Sequence, residues 1–459
     1  MQHVIRLWAF NSFLKITSEC AHHLESIKKI YDNVHQFIRV NEIELALMNT
    51  RPFQRLRHIH QLGFAYFVYP GGTHRRFEHS LGVMEIATRI YDEVTTKRPF
   101  SYLSHPGHEL LDEYIPKAKS QMHGYWRQIL RLAALAHDLG HLPFSHTAEK
   151  VLLGTLGHEQ WTSIIIDSVY LAPIWEVIQV DYPDQNVKED VLKISIGEQK
   201  FLKIADNPRS FTPWEQVLTA MITGDFFGAD RIDYLLRDSK CTGLTYGLFD
   251  YHQLIETLII MPACTARVSL ELGIQENGIE SCETLLLARH YMQKRLYQYA
   301  SVQSYSFHLS RFMAIIYSDL DRKLDNYIAM TDNEVLATLN RAFLNPKHPA
   351  HFDATCLYLE EKRFRAIPFH LPLQEKEIEC MRDELNIPVD QIAWYFAEKR
   401  EGKQGLNFPV LKKEGVIDRG SNLSSVSIPL HQQSWIYVAP HYEMAFRKRF
   451  MEKSKSEVH

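Results

Sequence analysis

The chain of 459 residues is 45% hydrophobic and 23% charged, with a formal net charge of -4. These values fit an ordinary soluble globular protein of one large domain or two to three ordinary ones. They exclude a global electrostatic pull toward nucleic acid or anionic membrane, so any anion site has to be a local basic cluster.

The six cysteines (Cys20, Cys241, Cys264, Cys282, Cys356, Cys380) form no C-x-x-C pair. That argues against a zinc ribbon or a disulfide framework and fits a reducing compartment, so a cytoplasmic protein is expected. The apolar start is broken by Arg6, Asn11 and Lys15 and reads as no signal peptide. No apolar run approaches the ~20 residues of a membrane span.

In chain order, residues 41–63 predict a helix, a break at Pro52 and a second helix carrying Arg55, Arg57 and Gln61. The aromatic run 64–73 ends in Pro-Gly-Gly and predicts a short extended segment or hairpin arm. A helix is expected from Arg76 to about Lys97, an exposed loop over 98–124, and an amphipathic helix over 125–138 stopped by Gly140. Residues 143–170 read as helical and 171–212 as mixed. A long helix over 214–240 is interrupted near Gly224 and Gly228. Residues 266–273 alternate like a strand, 279–323 are helical, and a charged helix covers 331–343. Beyond that, short alternating segments at 356–359 and 435–438 indicate a smaller α+β region. The expected organisation is mainly α: an N-terminal extension (1–27), a helical core (28–323) and a C-terminal α+β region (324–459) that supports assembly.

The run A-L-A-H-D-L-G-H-L-P-F-S-H places His137, Asp138, His141 and His146 at the end of an apolar helix. Packing has little use for such crowding, because unpaired buried polar groups are costly. His79 alone reads equally well as a helix-end histidine bonded to backbone. Together with His137, Asp138 and Asp230, however, it forms a set of two imidazoles and two carboxylates, each flanked by apolar residues that fix its helix. That set suits a divalent ion: manganese, iron, zinc, nickel or cobalt, with magnesium a less natural partner of histidine.

Several motifs extend the pattern: T-R-P-F-Q-R-L-R-H-I-H-Q-L-G from Thr50, V-Y-P-G-G-T-H-R-R-F-E-H-S-L-G-V, H-D-L-G-H-L-P-F-S-H, and A-D-R-I-D-Y-L-L-R-D. A weaker echo is R-H-Y-M-Q-K-R-L-Y-Q from Arg289, and W-I-Y-V near 435 matches a closing segment. Over residues 28–300 the chain resembles the HD-domain phosphohydrolases, and within them the deoxynucleoside triphosphate (dNTP) triphosphohydrolases.

The resemblance implies an HD-domain helical bundle and hydrolysis of a dNTP to a deoxynucleoside and inorganic triphosphate. It assigns His79, His137, Asp138 and Asp230 as metal ligands. His141 becomes the residue that protonates the leaving oxygen, with His146, His158 and Glu149 as its relay. Arg76, Arg231 and Arg289 match phosphate-holding positions. Gln61 and Leu62 match positions that read the deoxyribose, Tyr234 one that stacks on it, and Asp238 a 3′-hydroxyl acceptor. Tyr297 and Gln298 match the base end of the pocket. Arg55 and Arg57 match positions that bind an activating nucleotide at a subunit interface, so a homo-oligomer, a tetramer first, is expected.

Three departures stand out. The opening motif, usually D-P-V-H-G, is Asp32-Asn33-Val34-His35-Gln36 here, and Asn49 replaces an acidic residue that reads guanine. Glu149 is a longer acid than some members carry in the relay. The competing readings are another HD-domain phosphohydrolase (a phosphodiesterase or nucleotidase), and a regulatory nucleotide- or nucleic-acid-binding protein. The latter has only the basic tail Arg447–Lys455 in its favour.

Overall fold

The computed structural model describes residues 28–97, 109–206, 208–262, 269–318, 323–369, 373–396, 403–429 and 433–456. The expected N-terminal extension, Cys20, Cys264 and the first residues of the strand expected at 266–273 lie outside the described residues.

The core is helical, and its centre is α1 (Arg76–Thr96), buried almost all round. Leu81 and Met84 occupy one side, Val83, Ile86, Ala87, Ile90 and Val94 the other, and all are buried. A helix apolar on every side belongs inside a bundle, not on its surface. Its start is fixed by a capping interaction in which the Glu78 carboxylate accepts the Arg75 N–H at 2.7 Å. Against α1 packs α2 (Gln121–Ala136), capped by Ser120, whose hydroxyl accepts the His123 N–H. The small residues Ala133, Ala134 and Ala136 bring its last turns, and therefore His137, close to α1.

Two further helices complete the setting of the site. The short α3 (His158–Ile166) follows the loop after α2. The helix α4 (Ala229–Thr242) crosses α1 at Gly82, where a Cβ would lie 1.8 Å from Asp233 Oδ1. Only glycine permits that approach. Downstream are α5 (Ile279–Met292), α6 (Ala300–Ile316) and α7 (Asp332–Leu344). Residues of α6 and α7 share a second apolar cluster with Phe64 and Phe144.

The strands are few and short. β1 (Lys28–Asp32) and β2 (Gln36–Val40) form a hairpin, with Asp32 opposite Gln36. Gln36 occupies the left-handed region at φ 64°, where the expected motif has glycine. β3 (Leu258–Pro262) and β4 (Leu270–Gln275) are antiparallel, with Leu258 opposite Ile274. Further strands are β5 (Arg365–Phe369), β6 (Ile392–Tyr395), β7 (Lys403–Gln404), β8 (Pro409–Leu411), β9 (Ile417–Arg419), β10 (Ile428–Pro429) and β11 (Ser434–Val438). β8 pairs parallel to β4, giving a sheet of order β3-β4-β8-β9, so C-terminal residues are hydrogen-bonded onto the core. A separate C-terminal sheet has the order β5-β11-β6. The mainly helical class with a smaller C-terminal β-containing region is as expected, as are α1, α2, the helix interrupted at Gly224 and Gly228, and the strand at 434–438.

Some expectations are corrected. The aromatic run after Gln61 is not extended: Gly63–Phe67 is a 3-10 turn, because Phe64 and Phe67 pack against Phe144 and Tyr305 in the second cluster. The segment expected to alternate at 356–359 belongs to the helix His351–Tyr358, which buries Asp353, Ala354 and Leu357 at helical spacing. Pro52 breaks nothing. The break is Asn49-Thr50, and the proline sits in the first turn of Arg51–Arg55, where its missing N–H is harmless. Residues 171–212 hold three helices, Ala172–Asp181, Val187–Ile196 and Glu198–Ile204, and the expected loop at 98–124 contains a helix at Glu109–Tyr114.

Candidate metal centre

His79 lies in the first turn of α1, His137 caps the end of α2, Asp138 follows it, and Asp230 opens α4. Their donor atoms converge. His79 Nε2 is 3.0 Å from Asp230 Oδ1 and 3.6 Å from Asp138 Oδ2. His137 Nε2 is 3.3 Å from Asp138 Oδ1 and 3.8 Å from Asp230 Oδ1. Donors about 2.1 Å from one ion stand about 3 to 3.5 Å from one another, so these edges are close to those of a coordination polyhedron.

The tautomers also fit. His137 Nδ1 lies 2.7 Å from the Ala134 carbonyl, which can only accept, so this nitrogen carries the hydrogen and Nε2 presents its lone pair. That Nε2 is buried and has no hydrogen-bond partner among the described residues. A buried orphan acceptor aimed at two carboxylates is costly unless something cationic meets it. Asp230, with its side chain 35% exposed, forms the open side.

Electrostatics concentrate at the same point. Burial disfavours a charged His79, yet hydrogen bonds to Asp230 and Asp233 outweigh it and raise the ring to about 10. Burial likewise opposes ionisation of Asp138 and Asp230. Arg76 and the neighbouring histidines hold Asp138 well below the usual carboxylate range, and His137 and His79 do the same for Asp230. Both acids are therefore ready anionic ligands.

Behind the ligands stands a layer that sequence reasoning missed. Asp233, fully buried, accepts from His79 Nδ1 at 2.8 Å through one oxygen and meets His35 Nε2 at 2.7 Å through the other. Arg237 braces Asp233 at 2.9 Å and reaches back to Asp32 at 2.8 Å. Asp32 and His35 of the altered opening motif thus both serve this layer. The available signals were the opening motif Asp32–Gln36 and the spacing Asp233 to Arg237, four residues apart on α4.

A second cluster adjoins the first. Glu149 receives His146 Nδ1 at 2.6 Å on one oxygen, and His158 Nδ1 at 2.7 Å on the other. Its length lets it reach both rings. His141 stacks on His158 with centroids 3.7 Å apart, and its Nε2 is 3.1 Å from Asp138 Oδ1. Burial, then Arg76 and His158, push His141 well below the usual histidine value. His158 goes the other way, because Glu149 overcomes the effect of burial. Each cluster, His79-His137-Asp138 and His141-His146-Glu149-His158, keeps its donor atoms within 4.8 Å of one another, so either has the composition to hold a metal ion.

The remaining predicted residues divide. Arg76 is buried and donates to Asp138 and, at 2.9 Å, to the Ser145 hydroxyl. Tyr297 donates to Asp238 at 2.6 Å, faces Tyr234 edge-on, and shares Asp238 with His74 at 2.7 Å. Gln61 lies beside His74, its backbone N–H on the His74 carbonyl and its side-chain oxygen buried without a partner among the described residues. Leu62 follows it, half-buried. Arg231 and Arg289 donate to the Gly224 and Asp225 carbonyls. Gln298 closes a π-helical turn through its backbone. Arg55 and Arg57 are not brought together. Arg55 is buried and donates to the carbonyls of Met330 and Leu139, whereas Arg57 lies exposed over the Phe77 ring.

Residues 76–207 match the HD-domain family profile, a segment that includes His79, His137 and Asp138. An uncharacterized protein of Methanocaldococcus jannaschii is 31% identical over 277 residues, covering 60% of this chain and 47% of that one. The human deoxynucleoside triphosphate triphosphohydrolase SAMHD1 is 25% identical over 326 residues, covering 67% of this chain and 46% of that one. The chain thus spans about half the length of these curated relatives. A solved structure of a hypothetical protein from Aquifex aeolicus superposes with a TM-score of 0.67 at 28% identity, covering 93% of this chain and 100% of that chain. The chain carries an HD-domain phosphohydrolase fold, related distantly to the deoxynucleoside triphosphate triphosphohydrolases and to other HD-domain hydrolases.

Proposed function

We propose that this protein is a metal-dependent phosphohydrolase that cleaves dNTPs to deoxynucleoside and inorganic triphosphate. The observation that carries the reading is the convergence of His79, His137, Asp138 and Asp230 beside the His141-His158-Glu149-His146 cluster. The first four would hold a divalent ion, which when bound supplies polarisation of a phosphoryl oxygen and acidification of water. Two nitrogen and two oxygen donors favour manganese, iron, zinc, nickel or cobalt over magnesium.

The chain's own groups account for the rest. Arg76, Arg231 and Arg289 are the cations for a polyphosphate. His141 lies against Asp138 and carries the proton to the leaving ester oxygen. Burial and then the cations Arg76 and His158 keep it neutral at rest, and the negative charge of a bound triphosphate opposes those cations and favours its protonated form. Glu149 keeps His158 charged as the reserve from which that proton is replaced, while His146, exposed, connects the pair to solvent. Tyr234, Tyr297 and Asp238 form the sugar end, with Gln61 alongside.

The test is to incubate the purified protein with each dNTP and NTP in manganese or magnesium and identify the phosphate product. Inorganic triphosphate from deoxyribonucleotides, lost in His137→Ala and Asp138→Ala, is the expected result. Mono- or diphosphate alone would point instead to another HD-domain phosphohydrolase. Equal turnover of ribonucleotides would remove the role given to Tyr234 and Gln61.

A further inference from the structure

The loop Leu142–His146 lies between two members of the proposed proton relay, His141 and His146, whose rings are 4.6 Å apart. Its backbone is unusual. Phe144 sits at φ 56° and Ser145 at φ 61°, two consecutive non-glycine residues in the left-handed region. Side chains with a Cβ do not stay there unless the surroundings hold them.

What holds them arrives from far along the chain. Asp332, the first residue of α7, is 2% exposed, and both its oxygens are in use. Oδ1 accepts the Phe144 N–H at 2.7 Å. Oδ2 accepts the His60 backbone N–H at 2.6 Å and meets His60 Nδ1 at 2.6 Å. The His60 ring in turn stacks on Phe144 with planes 8° apart, and the His60 carbonyl accepts the Ser145 hydroxyl at 2.6 Å. Ser145 receives Arg76 Nε, and Arg76 also binds Asp138. One buried carboxylate thus anchors the strained turn and, through His60 and Ser145, the arginine on a metal-ligand candidate.

We propose that Asp332 is a positioning residue, holding the left-handed turn that sets His141 and His146 against the metal centre. The proposal rests on the phosphohydrolase reading. It predicts a defect chiefly in the chemical step, because the loop itself carries the proton relay, with a smaller effect on substrate capture transmitted through His60 and Ser145 to Arg76.

The experiment compares Asp332→Ala and Asp332→Asn with Asp353→Asn, whose carboxylate is also buried but serves His308 and Arg311 and bonds no residue of 142–146 among the described residues. In Asp332→Ala, kcat should fall about 30-fold while KM moves less than about threefold. Asp332→Asn keeps an acceptor for the Phe144 N–H but turns an NH2 on the His60 N–H, so it should recover only part of that loss, while Asp353→Asn should match the wild type. Hydrogen exchange of the peptide covering 142–149 should speed up about tenfold in Asp332→Ala and stay unchanged in Asp353→Asn. Loop exchange at the wild-type rate in Asp332→Ala would overturn the proposal, as would a kcat loss no larger than that of Asp353→Asn. A wild-type protein that hydrolyses no phosphate ester would sink the functional reading instead, and the exchange rates would still decide whether Asp332 pins the loop.

Discussion

Asp233 lies outside the proposed coordination shell, yet it decides what His79 can do. By accepting the Nδ1 hydrogen it aims Nε2 at Asp138 and Asp230, so that a metal ion displacing the Nε2 proton would meet the lone pair there. Asp233→Asn can still face His79, but it removes the negative charge shared by His35, His79 and Arg237. Manganese affinity by titration calorimetry should therefore fall about 10- to 100-fold in this variant. An unchanged affinity would detach the second layer from the site. His74 offers a test by pH. Burial works against a charged ring there, but the hydrogen bond to Asp238 outweighs it and lifts the value to about 9. Folding then takes up a proton between about 6.5 and 9, so the stabilisation is complete below about pH 6.5 and is lost as pH rises through about 9. Its size is of the order of 3 kcal/mol. Melting temperatures of wild type and His74→Gln should differ most near pH 6 and converge above pH 9. Parallel curves across that range would contradict the pairing. The four ligand candidates were legible in the sequence because each sits in a polar motif flanked by apolar helix. Their supports were not, since His79 and Asp233 are 154 residues apart, His35 and Asp233 198, and Asp32 and Arg237 205.

Helices carry the site because two of them approach more closely than side chains ordinarily allow. At Gly82 an added Cβ would meet both Asp233 Oδ1 and, at 2.6 Å, an Arg237 nitrogen, and neither group has room to retreat in its buried ion pair. Alanine is the better helix former by about 1 kcal/mol. The clash should override that gain and leave Gly82→Ala about 2 kcal/mol less stable in denaturant melts. Gly124 in α2 is the internal control: nothing lies within 4 Å of its Cβ position, so Gly124→Ala should gain stability. If both variants gain alike, the close crossing of α1 and α4 is not a constraint. The same scale shows what periodicity can and cannot convey. Long helices such as α1 and α2 are evident from apolar spacing. Short apolar runs are not, because a turn at Gly63–Phe67 or the end of the helix His351–Tyr358 has the composition of a strand. Their state is set by distant partners: Phe144 and Tyr305 for the first, α6 for the second.

At the scale of the molecule, the C-terminal third is joined to the helices that carry the candidate ligands in two physically different ways. β8 extends the sheet begun by β3 and β4, with Val410 opposite Ile274, and Leu406, Phe408, Val410 and Leu411 are buried in the same apolar cluster as α1, α2 and α4. α7 adds Phe144 to a second cluster through Val335 and Leu339, and supplies Asp332 to the loop between His141 and His146. A fragment ending at residue 323 would lose both. It would bare the edge of β4, an open row of backbone donors and acceptors, and the apolar surface that β8 covers, a combination that favours aggregation. It would also leave the Phe144 N–H and the His60 N–H without their acceptor. The fragment 28–323 should therefore be insoluble or bind 1-anilinonaphthalene-8-sulfonate strongly, with no cooperative melt, even though it retains every proposed metal ligand. A soluble fragment that melts cooperatively and binds manganese as tightly as the full chain would show that the site is built by the helices before the C-terminal third. In that case the restraint exerted by Asp332 would concern the placement of the loop alone and not the integrity of the centre.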